Sequence, residues 1–531
     1  MRACTMPFPR LPGKWSVALL LGCLPMVGAF GQPYWVRDAG GAGNEHVADV
    51  KTDADGSIYV TGEFSGTMQF GGNAYVSSGA IDLFVAKLDP AGVVQWFRQG
   101  GGPGIDRGLK VAVGSGGAIA VVGEFMGAAT VFGAPLTSAG GGTDMFVAVI
   151  DKADGALQWV RQGGGATGAD RPAGVSMAAD GRVTVAGEFR GTASWEGSTL
   201  TSMADGAGQP SVDVFVADYS ATGDLRWLKQ GAAAATDRAV DVVHDAAGHV
   251  YVTGQYSHDI TFGQTYPNAF LNTSFLLRLD PDGNDVWFRR FGGGVFNQVH
   301  DMQLAPDGRL LVVGDLQGTM VFGGPPNVNV AATQPFAYYI LAVNTDGSLH
   351  AHVTRGSTSG VTVRGITADG GVVSVLGAFN CRFTDLCTHY GAQGIFMATG
   401  EPDLFIARHA TAGLALQEAQ QFGGASAKAA GAIASLPGGD LVFCGSFQRN
   451  LIFPAQPGFQ ADAAAPGGGI IGNGATTYCD DPDYGSFAGS VSAGLADGFV
   501  ARGYVNGRAP YDWWERTGDG CDREPLEPCI R

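Results

Sequence analysis

Arg107, Arg171 and Arg238 each stand 17 residues ahead of an acid or amide: Glu124, Glu188 and Gln255. The same interval joins His46 to Glu63 and Gln298 to Asp315. The residue just before each first member is also polar: Glu45, Asp106, Asp170, Asp237 and Asn297. A guanidinium beside a carboxylate either fixes backbone geometry through a forked hydrogen bond or offers a charged rim to a ligand or cation. Repetition speaks for scaffolding, because a reaction centre is usually singular. Arg107, Arg171, Arg238, Glu63, Glu124 and Glu188 are therefore read first as a structural ring and second as a ligand-binding crown. The set fades late in the chain, where the same count pairs Val361 with Ala378 and Ala429 with Ser446.

Asp480, Asp481 and Asp483 form an acidic loop cluster whose hard oxygens suit calcium. Their spacing is not that of an EF-hand, and solvated loop acids are the competing reading. Asp53-Ala54-Asp55-Gly56 and Asp280-Pro281-Asp282-Gly283 look like calcium loops, yet their recurrence at strand joints reads as hairpin turns. Gly100-Gly101-Gly102 lacks the strand-to-helix context and the Lys-Ser/Thr of a phosphate loop. His350 and His352 share a strand face without a third metal ligand, and there is no Gly-x-Ser-x-Gly elbow. No cofactor is required by these residues, and calcium is the one candidate.

The elements that must position the polar set announce themselves by repetition. Gly62-Glu63-Phe64, Gly123-Glu124-Phe125, Gly187-Glu188-Phe189, Gly254-Gln255-Tyr256, Gly314-Asp315-Leu316, Gly377-Ala378-Phe379 and Gly445-Ser446-Phe447 are spaced by 61, 64, 67, 60, 63 and 68 residues. A period of this size marks a repeat architecture. In the unit from Gly104 to Gln162, strands are expected over Leu109–Val113, Ile119–Phe125, Met145–Ile150 and Leu157–Arg161, with a long loop up to Asp144. Four short antiparallel strands, repeated radially, predict an all-β, seven-bladed propeller: packing blades around an axis buries their faces, and ring closure protects their edges.

Trp96, Trp159, Trp227 and Trp287 lie four residues after Gly92, Gly155, Gly223 and Gly283, and are expected to cover the gaps between blades from the fourth strand. The later repeats carry Ala351 and Gln417 at the matching places. Trp35-Val36-Arg37 matches a fourth strand with no first three before it, so it is expected to close blade seven beside Gly498–Arg502. Trp514-Glu515-Arg516 competes for that place in a poorer register.

With 531 residues, 85 glycines and 15% charged residues, the chain has the composition of a turn-rich β protein. A net charge of −17 argues against nucleic acid, which needs a basic stripe. Arg2, Arg10 and Lys14 precede a short apolar run, Trp15 to Phe30, which reads as an export signal over residues 1–31 cut before Gln32; Leu20-Leu21-Gly22-Cys23 offers a lipoprotein alternative. No other run is long enough to span a bilayer. The mature chain then divides into a propeller over 32–509, with a long insertion at 454–496 in blade seven, and a tail over 510–531. In an exported chain the even set Cys381, Cys387, Cys444, Cys479, Cys521 and Cys529 reads as disulfides. Proximity favours Cys381–Cys387 and Cys521–Cys529, leaving Cys444–Cys479, with a zinc site as the alternative.

Ser57-Ile58-Tyr59-Val60-Thr61-Gly62, Val250-Tyr251-Val252-Thr253-Gly254 and Asp82-Leu83-Phe84-Val85-Ala86-Lys87-Leu88-Asp89-Pro90 resemble bacterial SBBP repeats. That resemblance covers roughly residues 33–505 and implies a seven-bladed propeller in an exported or surface protein, with no defined activity. Asp151-Lys152-Ala153-Asp154-Gly155-Ala156-Leu157-Gln158-Trp159 resembles the tryptophan-docking motif of pyrroloquinoline quinone dehydrogenases, which typically have eight blades and a calcium-bound quinone. The expected function is a monomeric, secreted or envelope-associated, non-catalytic recognition or scaffold module binding a surface protein or polysaccharide. The alternative is an enzyme working at the channel mouth, such as a polysaccharide lyase or hydrolase or a quinone-dependent dehydrogenase.

Overall fold

The repeated phrase becomes the second strand of each blade, and its glycine explains the repetition. In the computed structural model, Gly62 pairs with Phe84, Gly123 with Phe146, Gly187 with Phe215, Gly254 with Phe275, Gly314 with Tyr339, Gly377 with Phe405 and Gly445 with Phe499. A Cβ at Gly123 would lie 2.6 Å from the Phe146 ring and 1.9 Å from the Arg107 carbonyl oxygen. The aromatic ring of strand three fills the place of the missing side chain, and seven such stacks hold the ring of blades.

The structure describes residues 35–380, save 42, 269, 271–272, 325 and 358–359. Beyond these it describes 388–389, 395–396, 402–422, 428–447, 450–453, 460–461, 488–491 and 497–503. Seven antiparallel four-stranded blades follow the expected order. Blade one is Glu45–Thr52, Ile58–Phe64, Asp82–Leu88 and Val94–Gly100. Blade two is Arg107–Val113, Ala118–Phe125, Asp144–Asp151 and Leu157–Gly164. Blade seven is Lys428–Ser435, Leu441–Phe447 and Asp497–Gly503, completed by Trp35–Gly41 in the register Trp35 to Arg502 and Ala39 to Gly498. The N-terminal strand therefore closes the ring; the competing Trp514 lies outside the described residues.

The tryptophans dock as their spacing predicts. The Trp96 indole N–H donates to the Lys152 carbonyl at 3.1 Å, Trp159 to Ala221 at 3.0 Å, Trp227 to Pro281 at 3.2 Å and Trp287 to Thr345 at 2.9 Å. Trp35 repeats the contact across the closure, donating to Pro90 at 3.0 Å. Each acceptor sits in the turn between the third and fourth strands of the next blade. That turn's glycine must stay bare: a Cβ at Gly92 would lie 2.5 Å from Trp35, and Gly92 has φ +77°.

Three expectations need correction. The segment between strands two and three is a hairpin in most blades, where the sequence reads as a loop. Thr192–Trp195 with Ser198–Thr201 lies on the fourth strand of blade two, and Thr319–Phe322 with Val328–Ala331 on that of blade four. Thr67–Phe70 with Asn73–Val76 likewise lies on Trp35–Gly41. Each hairpin reaches back to cover the preceding blade's outer edge, a protection that four strands alone would not provide. In blade six Thr362, not Val361, pairs with Ala378, because the tight Gly370-Gly371 turn shortens the first hairpin. The tryptophan position there is Glu418, not Gln417: the left-handed turn residue is Leu414 at φ +59°, one place after Gly413.

Candidate functional site

The cross-strand pairs anticipated from the 17-residue interval form at one end of the propeller: Arg107 with Glu124, Arg171 with Glu188, Arg238 with Gln255 and His46 with Glu63. The side-chain bonds run across blade boundaries. Arg107 Nε lies 2.7 Å from Glu63 of the preceding blade, and its Nη1 lies 2.7 Å from Glu124 of its own. Arg238 Nε lies 3.0 Å from Glu188 of the preceding blade, and Arg171 reaches back to Glu124 at 4.0 Å. The crown thus stitches blades together as well as strands. Burial pushes the Glu63 and Glu188 carboxyls up, with Arg107 and Arg238 drawing them back. The ring continues as Asp315, which accepts from the Val363 N–H at 3.0 Å and lies 2.7 Å from His300 Nε2.

Exposure separates these arginines. The Arg107 side chain is 30% exposed, whereas Arg171 and Arg238 are 53% and 59% exposed. Met126 and Val295, on loops at the same end, and Phe296, the first residue of blade five's first strand, are exposed hydrophobics. Between blades three and four this end opens into a hollow of about 660 Å³ lined by Met203, Ser257, His258, Asp259, Asn268 and Phe270. Nothing in the sequence pattern pointed to the hollow, because its residues come from irregular loops of two blades.

Next to the crown arginines along the chain stands a set of buried acids. Asp106, Asp170 and Asp237 open the first strands and are fully buried, as are Asp82 and Asp213 at the start of third strands. Burial is the first cause that pushes Asp106 up to about 6, Asp170 to about 7 and Asp237 to about 8. Glu45 is pushed up to about 8 by burial, then by Asp497 and Asp38.

A third charged set lines the channel, at β-bulges in the first strands. Asp49 accepts the Val111 N–H at 2.9 Å, Asp241 the Met302 N–H at 3.2 Å and Asp301 the Ile366 N–H at 2.8 Å, each from the next blade. Met302 N–H also donates to Asp301 at 3.0 Å, so the Asp241 and Asp301 carboxylates share one donor. Burial and Asp301 push the Asp241 carboxyl up, while Lys110 and Lys51 oppose the rise.

Cys444, expected to bridge Cys479, is a free thiol, buried against Ala432 and Val500. The Ala432 N–H points at its sulfur at 3.4 Å, and burial pushes the thiol up to about 12. Cys381, Cys387, Cys479, Cys521, Cys529 and the acids Asp480, Asp481 and Asp483 lie outside the described residues, as do the leader and the tail. No helix long and apolar enough to cross a membrane occurs among the described residues.

No family model matches the chain, and no curated protein does. Among solved structures the chain is similar to the quinohemoprotein alcohol dehydrogenase from Comamonas testosteroni, at 11% identity and TM-score 0.33 over 87% of this chain and 77% of that one. It is similar also to a europium-containing methanol dehydrogenase, at 9% identity and TM-score 0.33 over 77% and 84%. The V. cholerae biofilm matrix protein Bap1 matches at 11% identity and TM-score 0.24 over 89% of each chain.

Proposed function

We propose that the protein is an exported, non-catalytic recognition propeller of the SBBP-repeat kind, whose binding surface is the crown end. The observation that carries this is the company kept there. Arg171 and Arg238 are more than half exposed at the end that also carries exposed Met126, Val295 and Phe296, and the hollow of about 660 Å³ opens there too. Arginine next to exposed apolar side chains is the composition of recognition surfaces. The hollow joins apolar walls, Phe270 and Met203, to His258, Asp259 and Asn268. That mixture suits a polyhydroxylated ligand, whose sugar faces are apolar and whose hydroxyls seek hydrogen bonds. A surface polysaccharide is therefore the preferred partner and a surface protein the other.

The test is binding of the full mature chain to arrays of bacterial polysaccharides and envelope proteins. The double variant Arg171→Glu/Arg238→Glu and the variant Phe270→Ala should each weaken a specific hit at least tenfold. Binding untouched by both would remove the crown end from the reading.

A second reading, an enzyme working in the channel, draws on the Asp241–Asp301 pair, since a raised carboxyl beside lysines suits acid–base work. Asp241→Asn should abolish any polysaccharide cleavage found; turnover that survives it would discard this site.

A further inference from the structure

At three blade junctions the N–H of the acid that precedes the next blade's first strand donates across the boundary, Asp106 to Ile81 at 3.0 Å, Asp170 to Thr143 at 2.8 Å and Asp237 to Val212 at 2.8 Å, which sets these acids beside Asp82, Asp144 and Asp213. Around the ring the matching positions hold Asp82 and Asp106, Asp144 and Asp170, Asp213 and Asp237, Thr273 and Asn297, Ala337 and Val361, Asp403 and Lys428, and Asp497 and Glu45. The first two junctions share a built feature. Asp82 Oδ2 accepts the Ser78 N–H at 2.9 Å and the Gln99 amide at 2.7 Å, while its buried Oδ1 has no hydrogen-bond partner. Asp144 Oδ2 accepts the Ala139 N–H at 2.8 Å, and its Oδ1 is likewise buried and unpartnered. An orphaned buried carboxylate oxygen is costly.

Each of these carboxyl groups packs into the place that a bare glycine leaves. A Cβ on Gly101 would lie 2.6 Å from Asp82 Oδ1, and one on Gly164 would lie 2.6 Å from Asp144 Oδ1. The second acid of each pair is held by backbone. Asp106 accepts the Gly102 and Met126 N–H groups at 2.7 and 3.2 Å; Asp170 accepts those of Gly165 and Arg190 at 2.7 and 3.1 Å.

Two other junctions answer the same oxygen in their own way. Between blades three and four, Ala232 takes the glycine's place and Ser211 Oγ donates to Asp213 Oδ1 at 2.7 Å. Between blades six and seven, Lys428 stands where the second acid would be, its Nζ 3.1 Å from Asp403 Oδ1, with both side chains fully buried. One junction thus carries its own cation.

We infer that the junctions Asp82–Asp106 and Asp144–Asp170 each bind a hard divalent cation of the calcium class. Two carboxylates balance its charge, and hard oxygen is the donor it selects. Lys428 does the same work at its junction with a covalently attached ammonium.

The experiment measures calcium bound per full chain by equilibrium dialysis and elemental analysis, together with Tm in calcium and in chelator. Asp106→Lys, which copies the Asp403–Lys428 arrangement, should lose one calcium equivalent and part of the calcium-dependent rise in Tm. Asp106→Lys/Asp170→Lys should lose two equivalents. Because subtraction is read, calcium held elsewhere, including at Asp480–Asp483, does not affect the result. Should the lysine variants fail to fold, Asp82→Asn and Asp144→Asn read the same loss. Unchanged calcium content in every folded variant, or a wild-type chain whose Tm is indifferent to calcium, overturns the inference in favour of acid pairs that share a proton.

Discussion

Arg107 Nε lies 2.7 Å from Glu63, a carboxylate of the neighbouring blade, while its Nη1 holds Glu124 of its own blade. One guanidinium therefore joins two blades at the edge of the channel. Its neighbours Arg171 and Arg238 make looser, more exposed versions of the same contact.

The crown should accordingly be uneven in stability. Arg107→Ala removes the 2.7 Å ion pair of Glu124, whose side chain is only 6% exposed and keeps the Thr143 hydroxyl at 3.1 Å, and should cost about 2 kcal/mol in chemical denaturation. Arg171→Ala and Arg238→Ala should cost less than about 1 kcal/mol, because exposed pairs contribute little. Equal losses at all three positions would contradict this reading of the geometry.

The stacked glycines should tolerate nothing larger. Gly123→Ala drives a methyl into Phe146 and the Arg107 carbonyl and should cost more than about 2 kcal/mol or prevent folding. Gly116→Ala, in open space, should stay within about 0.5 kcal/mol of wild type. The pair is read from denaturant midpoints.

Docking of one blade on the next should be sensitive at the indole. Trp96→Ala removes a buried ring seated on Gly155 and should cost about 3–5 kcal/mol. Trp96→Phe keeps most of the ring but loses the bond to Lys152, and should cost roughly 1–2 kcal/mol. A phenylalanine variant as unstable as the alanine variant would show that the hydrogen bond, not the packing, dominates.

His409 gives the fold a defined acid sensitivity. It is fully buried, with Nδ1 2.9 Å from the Leu414 carbonyl and Nε2 3.1 Å from the Tyr338 hydroxyl. The carbonyl only accepts, so Nδ1 carries the proton and Nε2 accepts from Tyr338. Burial, then Arg355, lowers its pKa from 6.5 to about 4. The folded state binds fewer protons than the unfolded state in that window, so stability is fully present above pH 6.5 and is lost as pH falls toward 4. Urea midpoints of wild type and His409→Gln should differ in their slope between pH 7 and 4.5 by on the order of 2 kcal/mol. Parallel curves would assign the acid sensitivity to other groups.

The periodicity of one short phrase was enough to read seven blades, their strand order and closure by Trp35–Gly41, because each blade must solve the same packing problem with the same glycine, aromatic and turn. The tryptophan docking was equally legible, since Gly92 and its counterparts sit at a fixed distance from an indole in sequence. The 17-residue interval found the crown's members, because a hairpin of constant length sets residues opposite each other. It failed at Thr362, where a shorter turn shifted the register.

What sequence spacing could not express is anything made between blades. That Arg107 reaches Glu63, that hairpins fold back over the preceding blade's edge, that Cys444 is walled in as a thiol, and that Lys428 fills a place held elsewhere by an acid all depend on residues brought together from different repeats. Local spacing dictates the blade; only ring closure decides which side chain meets which across each junction, because those distances are set by packing around the axis and not by the chain between them.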